Sequence, residues 1–149
     1  ADKELYETLK TRVTKSSANL QEIVARCIGI KAYVVAEDEH DNGLRQTLNY
    51  GHTIGHVIER NSNFTLSHGY SVAKGMARIS KKSPVSGALE EMLALYEFPF
   101  EDDISVDDII SGIMNDKKKR GSKITAALVN EIGKCELKPM TVEEFRELL

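Results

Sequence analysis

The stretch from Leu44 to Glu59, L-R-Q-T-L-N-Y-G-H-T-I-G-H-V-I-E, constrains this chain more than any other. Its apolar residues recur at three- and four-residue steps, and Asp41-Asn42-Gly43 ahead of it supplies turn and capping chemistry, so the spacing predicts one helix. At about 100° per residue, Arg45, Asn49, His52 and His56 then line up in a single stripe. Leu48, Ile54, Val57 and Ile58 take the remaining faces. The reading is a helix buried on most sides, its polar row turned to an internal cleft. Buried polar groups are costly unless something satisfies them. A metal ion and an anionic substrate would do so.

The histidines have two readings. His52 and His56, at i and i+4, share a helix face within reach of one ion, and neutral imidazole is a common zinc ligand. His68, in Leu66-Ser67-His68-Gly69 at the expected start of another helix, could return over them. The alternative makes His52 and His56 hydrogen-bonded core residues and His68 a loop residue or cap. Gly51 and Gly55 each precede a histidine. A glycine inside a helix costs about 1 kcal/mol relative to alanine, which points to close approach by a neighbouring helix or a ligand.

Taken together, I-K-A-Y-V-V-A-E-D-E around Lys31, L-N-Y-G-H-T-I-G-H, L-S-H-G-Y-S-V-A-K-G-M and D-K-K-K-R-G resemble the C-terminal domain of the 3-dehydroquinate synthase family of sugar phosphate cyclases, from about Asn19 onward. The resemblance implies a mainly α, multihelical domain with a small β-hairpin, lacking the N-terminal Rossmann-like domain. It also implies a zinc- (or cobalt-) and NAD+-dependent lyase of the shikimate pathway, on the route to chorismate and the aromatic amino acids. That enzyme forms 3-dehydroquinate from a seven-carbon sugar acid phosphate, 3-deoxy-D-arabino-heptulosonate 7-phosphate. Residue by residue, His52 and His68 match metal ligands, and His56 matches a histidine assisting proton transfer. Lys31, Arg45, Asn49 and, in the D-K-K run, Lys118 rather than Lys117 match substrate-binding residues, with Lys31 and Arg45 also counted as catalytic. Relatives commonly carry H-G-E where this chain has His68-Gly69-Tyr70, so a carboxylate is replaced by a phenol.

Elsewhere the chain reads as one domain of 149 residues. A net charge of −3 gives no basic footprint for nucleic acid. No apolar run approaches the roughly 20 residues of a membrane span, and the start is unlike a signal peptide. Cys27 and Cys135 are expected to be reduced core residues of a cytoplasmic protein. Asp2 to Arg12 reads as a short helix. Ser16 or Ser17 would cap a longer one whose stripe Leu20, Ile23, Val24, Cys27 and Ile28 turns inward, with Lys31 on the same buried side. Lysine on such a helix otherwise snorkels to water. Glu37 to Asp41, with His40, is a solvated helix end. Ser71 to Ser80 and Gly87 to Tyr96 read as helices, the latter with Leu89, Met92, Leu93 and Tyr96 in the core. Ser105 caps a helix carrying Ile109, Ile110, Ile113 and Met114, residues 123–137 form a hairpin, and Thr141-Val142-Glu143-Glu144 is a capping box.

No βαβ pattern or glycine-rich phosphate loop is present, so NAD+ is expected through an N-terminal domain or separate chain, with a homodimer as the complete enzyme. The family's third metal ligand, a glutamate in an E-V-I-K segment, would precede Ala1. Glu37, Glu39 or Asp41 could substitute, though nothing in the sequence demands it. The isolated chain is therefore expected to be inactive. The competing readings are another cyclase such as 2-deoxy-scyllo-inosose synthase, an iron-dependent alcohol dehydrogenase-like domain, and a non-catalytic helical interaction module.

Overall fold

Seven α-helices, one 3-10 helix and a β-hairpin make up the fold, in a computed structural model that describes residues 2–117 and 124–149. The order is α1 (Lys3–Leu9), α2 (Leu20–Glu37), a 3-10 helix (Leu44–Asn49), α3 (His52–Asn61), α4 (His68–Ile79), α5 (Ser86–Leu95), α6 (Val106–Lys117), β1 (Ile124–Glu131), β2 (Lys134–Met140) and α7 (Val142–Leu148). The strands pair antiparallel, with Ile124 opposite Met140 and Glu131 opposite Lys134.

The antiparallel pair α3 and α4 forms the centre. One face of α3 carries Ile54, Val57 and Ile58 into a core shared with Ile79 of α4, Ile109, Ile110 and Ile113 of α6, Ile124 and Ala126 of β1, Met140 of β2 and Phe145 of α7. The opposite side of α4 presents Ala73 and Ala77 to Leu93 of α5, with Leu89, Phe98 and Phe100 closing a second, smaller cluster. Burying such side chains stabilises the fold by about 1.5–3 kcal/mol each. Three expected helix starts are realised by side-chain caps: Ser67 accepts from Tyr70 N–H, Ser105 from Asp108 N–H, and Thr141 with Glu144 forms the reciprocal capping box.

The stretch Leu44 to Glu59 is not one helix. A 3-10 turn ends at Asn49, and α3 starts only at His52, because Gly51 sits in the left-handed region at φ +76°. That conformation strains any residue with a Cβ, and a Cβ there would also meet Met76 and Val72 of α4 at 2.5–2.8 Å. Arg45 and Asn49 therefore do not continue the stripe of His52 and His56.

The inward stripe expected of α2 is also corrected. Ile23 and Val34 are buried, but Val24 is 48% and Ile28 63% exposed, and Cys27 and Lys31 are exposed as well. The helix packs against the 3-10 helix, where Val34 lines one groove with Leu44 and Thr47, and, through Arg26 paired to Asp2 and Glu4, against α1. Nothing among the described residues covers the rest. Its N-cap is Asn19 without a side-chain bond, not Ser16 or Ser17. The Ser17 hydroxyl instead accepts from Thr14 N–H. Both cysteines are free as expected, Cys27 exposed rather than in the core. On α5 only Leu93 is fully buried, while Tyr96 donates its hydroxyl to Leu9 O and ties the end of α5 to α1.

Candidate active site

The site is built where α3 and α4 touch backbone to backbone. An ideal Cβ on Gly55 would lie 2.9 Å from Val72 Cα, and one on Gly75 would lie 2.1 Å from Gly51 O, so the glycines are what let the two helices approach. The close approach expected from Gly51 and Gly55 is thus by a neighbouring helix. Ser67 caps α4 immediately before His68, and Ser71, fully buried, donates to Ser67 O and pins that first turn.

This packing gathers three imidazoles. Ring centres are 5.3 Å apart for His52–His68, 5.6 Å for His52–His56 and 5.7 Å for His56–His68. His52 is half-buried, whereas His56 and His68 are exposed. Nδ1 of His52 lies 3.2 Å from Tyr50 O. A carbonyl oxygen only accepts, so Nδ1 carries the proton and Nε2 keeps its lone pair. Nδ1 of His68 lies 3.3 Å from Glu59 Oε2, and the same logic presents its Nε2. Two imidazoles on one zinc ion, each bound through nitrogen at about 2.0–2.1 Å in tetrahedral geometry, hold their ring centres roughly 5 Å apart. The His52–His68 spacing of 5.3 Å meets that requirement. The two residues fit as a pair of metal ligands. A third protein ligand is not at hand: among the described residues no group of three or more His, Cys, Asp and Glu is arranged to hold a metal ion, so Glu37, Glu39 and Asp41 do not complete the set.

An open apolar hollow of about 310 Å³, lined by Val72, Ala73, Met76, Leu93 and Phe98, adjoins His52 and His68. Tyr70 packs edge-on against Phe98 with ring centres 5.2 Å apart, extending this wall.

Arg45 sits half-buried on the 3-10 helix, donating its guanidinium to Glu39 O at 2.9 Å. Its position is fixed by the Asp38 carboxylate, which accepts from the backbone N–H of Asn42, Gly43 and Arg45 and is held below the usual carboxylate range by those bonds, that of Asn42 first. Asn49 is exposed at the end of the 3-10 helix, and Lys31 is exposed on α2. Lys118 lies outside the described residues. Glu59 was missed by sequence reasoning. Its place at i+7 from His52 on α3 carries no signal of its own until His68 is seen opposite it.

Comparison with known proteins agrees with this architecture. The fold matches that of ValA, the 2-epi-5-epi-valiolone synthase of Streptomyces hygroscopicus subsp. jinggangensis 5008 solved with NAD+ and Zn2+ bound, at a TM-score of 0.82 and 16% identity over 99% of this chain and 45% of that one. It also matches a 2-deoxy-scyllo-inosose synthase at a TM-score of 0.63 and 25% identity, over 87% of this chain and 39% of that one. Fold together with sequence relatives places the chain among the helical C-terminal domains of the dehydroquinate synthase-like sugar phosphate cyclases. The chain belongs to the 3-dehydroquinate synthase C-terminal family, whose model matches residues 1–119. Among its relatives, the 3-dehydroquinate synthase of Lactococcus lactis subsp. cremoris is 36% identical over all of this chain and 46% of its own length. That of Clostridium beijerinckii is 37% identical over 97% of this chain and 45% of its own. The chain thus spans less than half the length of the curated relatives it matches.

Proposed function

We propose that this chain is the metal- and substrate-binding part of a 3-dehydroquinate synthase, forming 3-dehydroquinate from 3-deoxy-D-arabino-heptulosonate 7-phosphate with release of phosphate. The carrying observation is the His52–His68 pair, ring centres 5.3 Å apart, with each Nδ1 within hydrogen-bonding distance of an oxygen acceptor. These two side chains would hold zinc or cobalt. Bound, the ion supplies Lewis-acid polarisation of a substrate oxygen and NAD+ supplies reversible hydride acceptance. His56, whose ring centre is 5.6 Å from that of His52, takes the proton-transfer role, for which imidazole suits neutral pH. Arg45, Asn49, Lys31 and Lys118 are assigned to the substrate's phosphate and carboxylate, a guanidinium being matched to either by its fork of donors.

The NAD-binding part is a separate domain or chain, and the chain alone is inactive. The apolar outward face of α2, with Val24 48% and Ile28 63% exposed, supports this reading. The complete enzyme is proposed to be a cytoplasmic homodimer; no helix among the described residues is long and apolar enough to cross a membrane.

The test mixes this chain with the NAD-binding part of a relative and follows phosphate release and product identity. Activity is expected only in the mixture, and His52→Ala and His68→Ala are expected to abolish it. A different cyclised product would replace the substrate assignment with another sugar phosphate cyclase activity. An inactive mixture whose parts demonstrably associate would overturn the reading.

A further inference from the structure

We infer that Glu59 is the positioning residue that sets His68 for metal binding, by accepting the Nδ1 proton and so presenting Nε2. The inference rests on the proposed metal role of His68 for its consequence, but the contact stands without it. Nδ1 of His68 is 3.3 Å from Glu59 Oε2. The Glu59 side chain is 20% exposed, whereas that of His68 is 54% exposed at the first residue of α4. An exposed imidazole with no partner favours the tautomer protonated on Nε2, which puts the proton on the atom needed as ligand. It also leaves the ring free to rotate. A carboxylate facing Nδ1 removes both problems and makes the imidazole a more basic ligand.

The arrangement is also economical in position. Glu59 lies two turns beyond His52 on the same face of α3, so the helix that carries one ligand carries the group that orients the other. His52 needs no such residue, because Tyr50 O serves its Nδ1. Tyr70, two residues beyond His68, is turned to Phe98. The phenol at that position therefore leaves His68 with a carboxylate partner.

The test compares wild type, Glu59→Ala and Glu59→Gln in the full chain by two readouts. Long-range 15N–1H correlation spectra of the metal-free chain report the tautomer of each histidine. Wild type and Glu59→Gln, whose amide oxygen still accepts, should keep His68 protonated on Nδ1, while Glu59→Ala should move it toward Nε2 with His52 unchanged. Titration with Co2+, read in the d–d bands, should show a ten- to hundredfold loss of affinity in Glu59→Ala and a smaller one in Glu59→Gln. The inference is overturned if His68 keeps its tautomer in Glu59→Ala, if that variant binds Co2+ like wild type, or if His52 shifts in parallel, which would make Glu59 a residue of the fold rather than of His68. Both readouts are repeated with the NAD-binding part of a relative present; should wild type bind no Co2+ even then, the metal reading fails, and the tautomer spectra still decide the contact.

Discussion

Replacing Gly75 by alanine tests the argument that helix contact, rather than loop geometry, sets the histidine cluster. The added Cβ would stand 2.1 Å from Gly51 O and 2.7 Å from Gly55 N, both backbone atoms that no rotamer change can move aside. Relieving the contact requires α3 and α4 to part by roughly 1 Å, and overpacking of this kind costs about 1–3 kcal/mol. Alanine returns about 1 kcal/mol of helix propensity. The upper half of the range applies because the obstacle is backbone, leaving a net loss of about 1–2 kcal/mol, or roughly 3–6 °C in Tm for a chain of this size. The same change at Gly29, in the interior of α2 with nothing within 4 Å, should instead stabilise by about 1 kcal/mol. Urea unfolding followed by circular dichroism reads both signs. The separation also carries His68 away from His52, so Co2+ affinity should fall at least about tenfold in Gly75→Ala, since ligand distances tolerate only about 0.2 Å. A Gly75→Ala chain as stable as wild type would refute the packing argument. One destabilised but binding Co2+ normally would refute its link to the site.

Ile109→Ala should cost about 2–5 kcal/mol, since Ile109 is fully buried at the meeting of α3, α6 and the hairpin; denaturant titration measures it. The Asp38 carboxyl should titrate below its ordinary 3.8 in 13C spectra, because three backbone N–H groups hold its charged form. Folding lowers that pKa, so its contribution is complete above the ordinary value and is lost as pH falls through the lowered one; amide exchange at Gly43 and Arg45 should then rise, and a pKa at or above 3.8 would refute the loop's hydrogen bonding. Glu131, which accepts from Lys134 and Lys3, is lowered from 4.5 to about 2, so the tie between α1 and the hairpin should weaken only between those values. Cys27, exposed on α2, should react rapidly with a thiol reagent in the chain alone and slowly once an NAD-binding partner is added. Unchanged reactivity on association would place the partner elsewhere.

Sequence legibility followed the range of each signal. The caps at Ser67, Ser105 and Thr141 act within three residues; Ser105 and Thr141 were read as caps, and at Ser67 the helix start was read without its cap. The break at Tyr50–Gly51 was not, because Gly51 is held left-handed against Gly75 and Met76, twenty-four and twenty-five residues on, and a local period cannot register a distant backbone. For α2 the failure has another cause. Apolar residues occur on nearly every side of it, so periodicity ranks no face above another and says nothing of which one finds a partner. The meeting of His52 and His68 was anticipated through resemblance, whereas the Glu59 contact needed coordinates, since a carboxylate at i+7 on a helix is unremarkable until something is seen opposite it.

The outward face of α2 and the two-histidine donor set support one interpretation. A helix apolar on most sides is at home only in an interior, and Val24 and Ile28 stand in solvent here. A catalytic zinc ordinarily takes three protein ligands, and the described residues gather two that fit. One docking event could cover the helix and bring a third ligand to the hollow beside His52 and His68. Under the proposed function, the exposed apolar face of α2 is the surface through which the NAD-binding part docks, and the same docking completes the ligand set begun by His52 and His68.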